Sequence, residues 1–328
     1  MNLFSGFLAS WLGHRSTIFL AVILVSSATA FIAVSASLLL IRTGLVVLGV
    51  GAGLYPPSGI ATASSLVESG DEGKVLSIHE LGPSFGFIAA PIFVALLLPH
   101  LDWRSCLLLV SALGLLTGTL YIIFSRGGSF KGEAPVLRNI TKILSLPSFW
   151  IITVLMAFGA GASIGLYSII PTYLVFERGL GQELVNTIVG VSRISGLIVL
   201  LFSGYLVDRF GAKRIISAVL LATGIATAVI WVQSRAILLV AVFMQPLLIA
   251  SIFPAILTAA ARIAPRKFQN LTISMILPIG YSFGGGILPL LLGWLGDNAT
   301  FAMGFLIYGL MLMAGAVLPF LLVLNHGE

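Results

Sequence analysis

The sequence contains little charge and a single cysteine. Asp, Glu, Lys and Arg make up 9% of its 328 residues, whereas hydrophobic residues make up 59%. A soluble domain of this length has no interior large enough for so much apolar surface, so the composition predicts a membrane protein. The lone Cys106 excludes an internal disulfide framework and a zinc site built from cysteines.

The motifs of soluble enzymes are missing as well. The four histidines form no HExxH pair, and no phosphate-binding Gly-Lys-Ser/Thr loop occurs. The glycine-rich stretch GVGAG, 49–53, lies inside a long apolar run, where glycines commonly allow close helix packing. We therefore expect a protein that is not an enzyme and that uses no cofactor and no metal.

Apolar stretches long enough to cross a bilayer, about 20 residues each, fill most of the chain. We predict ten complete transmembrane helices, near residues 16–38, 43–65, 75–98, 104–124, 148–174, 185–207, 215–233, 236–260, 270–295 and 301–323. By the positive-inside rule, the more basic side faces the cytoplasm. Its loops hold Arg15, Lys74, Arg126, Lys131, Arg138, Lys142, Arg209, Lys213, Arg214, Arg262, Arg266 and Lys267, against Arg42, Arg104, Arg178 and Arg235 on the other side. Topology thus explains the net charge of +6 better than nucleic-acid binding does.

The longest break between spans divides the chain into two halves. We interpret residues 125–147, with four basic side chains, as a cytoplasmic linker. It would join an N-terminal half-bundle, residues 1–124, to a C-terminal six-helix bundle, residues 148–328.

An internal repeat connects the halves at an offset of 198 residues. Three segments share this register: Gly6-Phe7-Leu8 with Gly13 and Arg15 recurs as Gly204-Tyr205-Leu206 with Gly211 and Lys213, Tyr55-Pro56 recurs as Phe253-Pro254, and GPSFGFIAAP from Gly82 recurs as GYSFGGGILP from Gly280. The halves are therefore expected to be parallel structural repeats.

The same offset places the counterpart of Pro147 roughly 50 residues before Met1. One helix and most of a second then have no equivalent, and the remaining NLFSGFLASWL is too short to span a bilayer. Either Met1 is not the native start, or the protein is a truncated copy.

The stretch GYLVDRFGAKR, 204–214, resembles the loop signature of the major facilitator superfamily, approximately G-x-L-x-D-R-x-G-R-R/K. The matching residues are Gly204, Leu206, Asp208, Arg209, Gly211, Lys213 and Arg214. In the smaller half Gly6, Leu8, Gly13 and Arg15 match, but Ser10 and Trp11 replace the acidic-basic pair. A Gly-Pro-x-x-Gly element associated with antiporters and helix packing resembles Gly82, Pro83 and Gly86.

This resemblance covers the whole chain and implies an all-α polytopic membrane protein. It implies two six-helix bundles, the N-terminal one incomplete, with a central cavity between them and alternating access by rocking of the halves. The loop signature would act as a gating motif that packs tightly under the bundle, with Asp208 near a cation and a helix N-terminus.

Arg193 is a lone charge in the apolar stretch VSRISGLIVLLFSGYLV, 191–207. It precedes Asp208 by fifteen residues, which at 1.5 Å per residue is roughly 20 Å from the cytoplasmic signature. A charge this deep is costly and indicates a functional site. Its planar guanidinium suits a carboxylate or similar oxyanion. The alternative is an inter-helix hydrogen bond that fixes the closed state.

Family members that carry small anions such as nitrate and oxalate use an arginine on the eighth helix, the position that this helix would hold. The resemblance therefore favours an anionic substrate. Tyr55, Tyr167 and Gln245 lie on helices that resemble the cavity-lining fourth, seventh and tenth, and are further substrate-binding candidates. His79 and Glu80 are candidates for proton coupling, with a solvated helix start as the alternative that we favour at this point.

We thus expect a secondary active transporter of a small solute, more specifically an organic or inorganic anion. The alternatives are a truncated non-transporting or channel-like homologue and a drug or metabolite efflux antiporter. The expected location is a bacterial or archaeal inner membrane. We expect a monomer in the lipid bilayer whose partners are a small-molecule substrate and, as a candidate, a coupling proton.

Overall fold

A computed structural model describes residues 2–67, 71–97, 100–132, 137–265 and 268–324. These residues form helices joined by short loops, and no strand occurs among them. In chain order the α-helices are α1 (Asn2–Leu12), α2 (His14–Val34), α3 (Leu38–Ser64), α4 (Glu72–Leu97), α5 (Trp103–Phe124), α6 (Leu137–Leu144), α7 (Pro147–Ala160), α8 (Leu166–Phe176), α9 (Gln182–Phe210), α10 (Ala212–Val229), α11 (Arg235–Ile249), α12 (Ile252–Arg262), α13 (Gln269–Tyr281), α14 (Leu288–Asn298) and α15 (Phe301–Gly315). Arg266 and Lys267, which entered the topology count, lie outside the described residues.

Three shorter segments complete the described architecture. A π-helical segment, Gly161–Gly165, joins α7 to α8, and a second, Ser282–Ile287, joins α13 to α14. A 3-10 helix, Leu318–Leu321, follows α15. Two predicted single spans are thus α-helices interrupted by a π-turn, which is a common device at functional sites.

Nine helical stretches in the described ranges are long and apolar enough to cross a membrane. They are His14–Val34, Leu38–Ser64, Trp103–Phe124, Pro147–Phe176, Leu184–Phe210, Ala212–Val229, Arg235–Arg262, Leu271–Asn298 and Phe301–Leu321. Each falls on one of the ten predicted spans. The tenth prediction, 75–98, falls on α4, a helix of 26 residues. The chain is therefore a multi-pass, all-α membrane protein, as the composition predicts.

Contacts divide the chain into two compact units. Unit 1 consists of Met1–Glu68, Phe85–Lys142 and Pro265–Met275, and unit 2 of Ser69–Ser84, Ile143–Ala264 and Ile276–Glu328. The first part of α4 thus belongs to unit 2. The predicted linker, 125–147, contains α6, and its residues 133–136 lie outside the described part of the chain. The boundaries 1–124 and 148–328 stay a prediction.

The 198-residue repeat is visible in the backbone. Gly13 has φ 83° and ψ 162°, and its counterpart Gly211 has φ 84° and ψ 144°. Only glycine adopts such positive φ values at little cost. Each of these glycines therefore lets the chain turn sharply into the next helix, which begins one residue later.

In each half, the basic residue that follows this turn donates a hydrogen bond to a carbonyl oxygen at the end of the last helix. Arg15 Nη2 donates to the Ile122 carbonyl oxygen at 2.6 Å, and Lys213 Nζ donates to the Leu322 carbonyl oxygen at 2.5 Å. The two acceptors lie within two residues of equivalence at the 198-residue offset. Unpaired carbonyls at a helix end are satisfied well by cationic side chains.

A third equivalence lies in the packing of helices. In unit 1, Ser111 Oγ on α5 donates to the Ser26 carbonyl oxygen on α2 at 2.8 Å. The equivalent residues in unit 2 are Gly309 and Gly224, where an added Cβ at Gly224 would lie 2.8 Å from the Gly309 carbonyl oxygen. A side-chain hydrogen bond in one half thus corresponds to a direct backbone approach in the other, so the repeat conserves the contact and changes its chemistry.

Candidate functional site

Arg193 is held by its neighbours inside unit 2. Its Cζ lies 4.4 Å from the centroid of the Tyr167 ring, within the range of a cation–π interaction. Its Nη2 also donates a long hydrogen bond, 3.4 Å, to the Ser163 carbonyl oxygen. The guanidinium on α9 is therefore positioned by α8 and by the π-helical segment before it.

Tyr167 forms the support for this arginine. Its side chain is 3% exposed, and its hydroxyl donates to the Val242 carbonyl oxygen at 2.9 Å and pairs with Ser192 Oγ at 3.1 Å. These bonds connect α8 with α9 and α11. Because a buried hydroxyl is costly to leave unpaired, they fix the ring orientation under the guanidinium.

Gln245 is a fully buried amide close to the same segment. Its Nε2 donates to the Ala162 carbonyl oxygen at 2.8 Å, while its Oε1 has no hydrogen-bond partner among the described residues. The carbonyl acceptor fixes which end of the amide is nitrogen, since a carbonyl oxygen needs a donor. An unpaired buried acceptor is unusual in native proteins and can mark a site where a ligand or water binds.

The carbonyl partners of Arg193 and Gln245 both lie in the π-helical segment. In an α-helix each carbonyl is used by the amide four residues later, whereas a π-turn shifts this pattern by one residue. Ala162 and Ser163 lie in the segment and accept from Gln245 and Arg193. The glycine-rich sequence GAGASIG, 159–165, is the sequence signal for this feature, which no expectation above included.

The second π-helical segment packs directly against the first. A Cβ at Gly165 would overlap the Gly284 carbonyl oxygen, and a Cβ at Gly284 would overlap the Ala157 carbonyl oxygen. The two backbones therefore approach at a distance that only glycine permits. The position of Arg193 is thus supported by a glycine contact between two interrupted helices.

Three of the four predicted substrate-binding residues thus lie in one unit, and the fourth lies elsewhere. Tyr55 belongs to unit 1, is 38% exposed and lines a groove of about 260 Å³ with Gly51 and Gly114. Tyr167 and Gln245 are buried and bonded to backbone carbonyls, and Tyr167 contacts Arg193. Direct contact of either side chain with a solute stays a prediction.

The loop signature of the larger half forms a cluster at the start of α4. Asp208 Oδ1 accepts from the Gly73 backbone N–H at 2.9 Å, and Oδ2 accepts from the Lys74 backbone N–H at 3.2 Å. The carboxylate thus satisfies two of the unpaired donors of a helix N-terminus and complements its dipole. The predicted neighbourhood of Asp208 and a helix N-terminus is therefore present.

Two glycines allow α4 and α9 to come this close. A Cβ at Gly204 would lie 2.5 Å from the Gly73 carbonyl oxygen, and a Cβ at Gly73 would lie 2.6 Å from Asp208 Oδ1. One turn further along α4, Ser77 and Ser203 share a hydrogen bond of 3.0 Å. Any larger side chain at either glycine would separate the helices.

An ion pair that the sequence analysis missed brings a third helix to the same place. Glu72 Oε2 accepts from Arg262 Nε at 3.1 Å and from Nη2 at 3.0 Å. Arg262, at the end of α12, entered the sequence analysis only as a positive-inside charge. We call the cluster of Glu72, Gly73, Asp208, Gly204 and Arg262 the α4 junction.

The remaining residues of the predicted motifs lie outside the α4 junction. Arg209 Nη1 donates to Tyr205 Oη at 2.6 Å on the surface, and Arg214 is exposed. At Gly82 and Gly86 an added Cβ would meet no described atom within 4 Å, and Pro83 is exposed. Among the described atoms, therefore, neither glycine shows the close packing expected at this Gly-Pro-x-x-Gly element.

The burial of His79 and Glu80 contradicts the interpretation that we favoured, a solvated helix start. Their side chains are 11% and 14% exposed, and His79 Nδ1 lies 3.2 Å from Glu80 Oε1. A solvated helix start would leave both exposed. The difference arises because α4 begins at Glu72, so that the pair lies about two turns inside the helix.

Comparisons with known proteins agree with this architecture. The sequence matches the family model of the Major Facilitator Superfamily over residues 1–203 and 182–327. The chain belongs to this family, whose members are transporters. No match is found among curated protein sequences.

Solved structures share the fold at low sequence identity. The Escherichia coli fucose:proton symporter FucP is 15% identical with a TM-score of 0.82, covering 98% of this chain and 86% of its own. The human organic anion transporter MFSD10 (TETRAN) is 14% identical with a TM-score of 0.82, covering 97% and 79%. A bacterial homologue of the human lysosomal transporter Spinster is 16% identical with a TM-score of 0.60, covering 98% and 84%.

Proposed function

We propose that this protein is a secondary active transporter of a small solute that carries a carboxylate or a similar oxyanion, and that Arg193 binds this group. The observation that carries the proposal is the stacking of Arg193 on the buried Tyr167 ring. The cation–π contact attracts the charge of the guanidinium and does not need its N–H bonds, whereas a carboxylate binds the guanidinium edge through parallel N–H bonds. The Tyr167 ring and an anion can therefore bind Arg193 together, and the anion would share or replace the long Nη2 bond to the Ser163 carbonyl oxygen.

The comparisons support transport and leave the solute open. One similar structure is described as a fucose:proton symporter and another as an organic anion transporter. One fold thus serves solutes of different charge, so the argument for an anion rests on Arg193 itself. We also propose a bacterial or archaeal inner membrane as the location, a proposal that the short loops support.

The α4 junction is proposed as the gate of this transporter. Asp208 and Arg262 each bind the first turn of α4 from a different helix. Breaking these contacts would release the start of α4 from α9 and α12. Because they depend on a helix terminus and one ion pair, they can form and break without disturbing the apolar core.

The alternative functions have less support. An efflux antiporter rests on the Gly82, Pro83 and Gly86 resemblance, where neither glycine has a close neighbour among the described residues. A purely structural Arg193, bonded to the Ser163 carbonyl oxygen, would fit a non-transporting or channel-like protein. These alternatives predict different results in a transport assay.

The test is uptake into proteoliposomes that contain the purified protein. Radiolabelled lactate, succinate and benzoate serve as anionic probes, and fucose serves as a neutral probe. We expect accumulation of at least one anion above its equilibrium level, loss of that accumulation in Arg193→Ala, and partial recovery in Arg193→Lys because the bidentate fork is lost. Arg235→Ala, an exposed arginine at the start of α11, is the matched control.

Two results would contradict the proposal. Unchanged anion uptake by Arg193→Ala would show that the arginine is structural. Accumulation of fucose alone by the wild-type protein would show that the solute is neutral. Elution of each variant as the wild type does in size-exclusion chromatography separates these results from misfolding.

A further inference from the structure

The His79–Glu80 pair is an ionisable site that the α4 junction and the Arg193 site do not use. Both side chains are largely buried, and the imidazole Nδ1 lies 3.2 Å from the carboxylate Oε1. They occupy the eighth and ninth positions of α4, beyond the first turn that binds Asp208. A buried acid next to a buried base in a membrane helix indicates a functional site.

Charged groups on the neighbouring helices are engaged elsewhere. On α9, Asp208 is bonded to the α4 backbone, and on α12, Arg262 is paired with Glu72. Lys74, on α4 itself, is paired with Asp71. Lys74 and Arg262 thus pair with carboxylates other than Glu80.

Tyr281 is the titratable group that α13 contributes. It interacts electrostatically with Glu80, and its ring stacks on Phe253 with centroids 6.2 Å apart and planes at 2°. A tyrosine stays neutral at physiological pH and offers a hydroxyl that can donate or accept. It therefore adds a hydroxyl in the neighbourhood of Glu80 without adding a charge.

The charge balance of the pair favours one bound proton. With no proton on either group the site carries a net charge of −1, and with two protons it carries +1. With a single shared proton it is neutral, whether the proton lies on the imidazole or on the carboxylate. A buried site disfavours both charged states, so the burial and proximity of the two groups favour the neutral state with one bound proton.

We propose that His79 and Glu80 form the proton-binding site that couples the movement of the solute to a proton gradient. This inference rests on the transport function proposed above and names the coupling partner. The pair would take one proton from water on one side of the membrane and return it to water on the other, so no other reactant is needed. A proton carried with a monovalent anion makes the transport step electrically neutral.

The position of the pair relative to Arg193 fits this role. Contacts between Gly73 and Asp208 and between Ser77 and Ser203 show that α4 and α9 run antiparallel there. At 1.5 Å per residue, Arg193 lies roughly 10 Å beyond Glu80 along this pair of helices. Arg193 is also the next charged residue of α9 after Asp208 towards its N-terminus. The proton and the anion would thus bind on facing helices of one unit.

The first arm of the test measures proton binding without any solute. Infrared difference spectra of the purified protein between about pH 5 and about pH 8, the range in which histidine titrates, are compared for wild type, Glu80→Gln and His79→Asn. We expect Glu80→Gln to remove a carboxyl band and His79→Asn to remove an imidazole band of the wild-type difference spectrum. Asp297→Asn, an exposed acidic residue at the end of α14, is the matched control and should keep both bands. A wild-type signal that survives in both variants would overturn the proposal.

The second arm measures coupling in proteoliposomes with lactate and succinate as probes. An imposed pH gradient should drive accumulation by the wild type and by Asp297→Asn, whereas Glu80→Gln should lose accumulation and keep exchange of labelled for unlabelled probe. Accumulation by Glu80→Gln at the wild-type level would overturn the coupling role. If the wild type moves neither probe, the proposed anion transport fails, and the infrared arm still decides whether the pair binds a proton.

Discussion

Glu177 and Arg178, adjacent residues with opposite charges, bind the opposite poles of two helices in unit 2. The Glu177 carboxylate accepts from the backbone N–H groups of Phe301 and Ala302, at the start of α15. The Arg178 guanidinium donates to the carbonyl oxygens that follow α10, those of Ile230, Trp231 and Val232. Each charge thus meets the helix end whose dipole it stabilises.

Arg178 is the more heavily bonded of the two. It also donates to Tyr173 Oη and to Gln233 Oε1, and its Cζ lies 5.1 Å from the Tyr173 ring centroid. Tyr173 itself is fully buried and packs edge-on against Phe305. The arginine therefore joins the end of α8 to the core of unit 2.

We predict that Arg178→Ala lowers the free energy of unfolding by about 1–2 kcal/mol, since it removes charge-assisted bonds and a helix-end charge. Arg178→Lys should recover part of this loss, because lysine keeps the charge without the planar fork. Thermal unfolding in detergent measures the change, with exposed Arg235→Ala as the control. Equal stability of the alanine variant and the wild type would mean that these bonds contribute nothing.

The α4 junction should tolerate no side chain at its crossing point. Gly204→Ala and Gly73→Ala would each force the two helices apart, and we expect both to reduce transport and thermal stability. Gly293→Ala is the control, because an added Cβ there meets no described atom within 4 Å. Wild-type uptake by Gly204→Ala in proteoliposomes would show that the close approach is not needed.

The ion pair between Glu72 and Arg262 should behave as a coupled pair. We expect Glu72→Arg and Arg262→Glu each to impair transport, and the double exchange to restore a measurable part of it. The expected coupling energy for stability is only about 0.5–1 kcal/mol, because the Arg262 side chain is 41% exposed and water screens the interaction. A double-mutant cycle on thermal unfolding measures this coupling. Strictly additive effects would refute the pairing.

The two π-helical segments offer a comparison between adjacent residues. An alanine at 284 would overlap the Ala157 carbonyl oxygen, whereas an alanine at 285 would meet only Ile164 carbons at 3.8 Å or more. We expect Gly284→Ala to lower thermal stability and anion uptake, and Gly285→Ala to change neither strongly. If both variants behave alike, the contact between the segments is not what positions α7 and α13.

The sequence predicted the spans and the repeat because long apolar runs and fixed offsets are properties of the chain itself. Asp208 and its glycines were predictable for a similar reason, since the seven residues of the signature lie close together in one loop and can be recognised from the sequence alone. Glu72 and Arg262 were not, because they lie 190 positions apart and nothing local connects them. Burial of His79 and Glu80 was missed because the start of α4 and the helices that cover it are decided by tertiary packing.

The bonds of Arg15 and Lys213 to backbone carbonyls have a consequence for sequence variation. A carbonyl oxygen is present at every position, whatever the side chain, so neither cation depends on a matching acidic residue in the last helix of its half. The residues at 122 and 322 can therefore change freely among apolar types without loss of the bond. This independence suits a duplicated architecture, in which two halves with few identical residues must keep the same closure of their bundles.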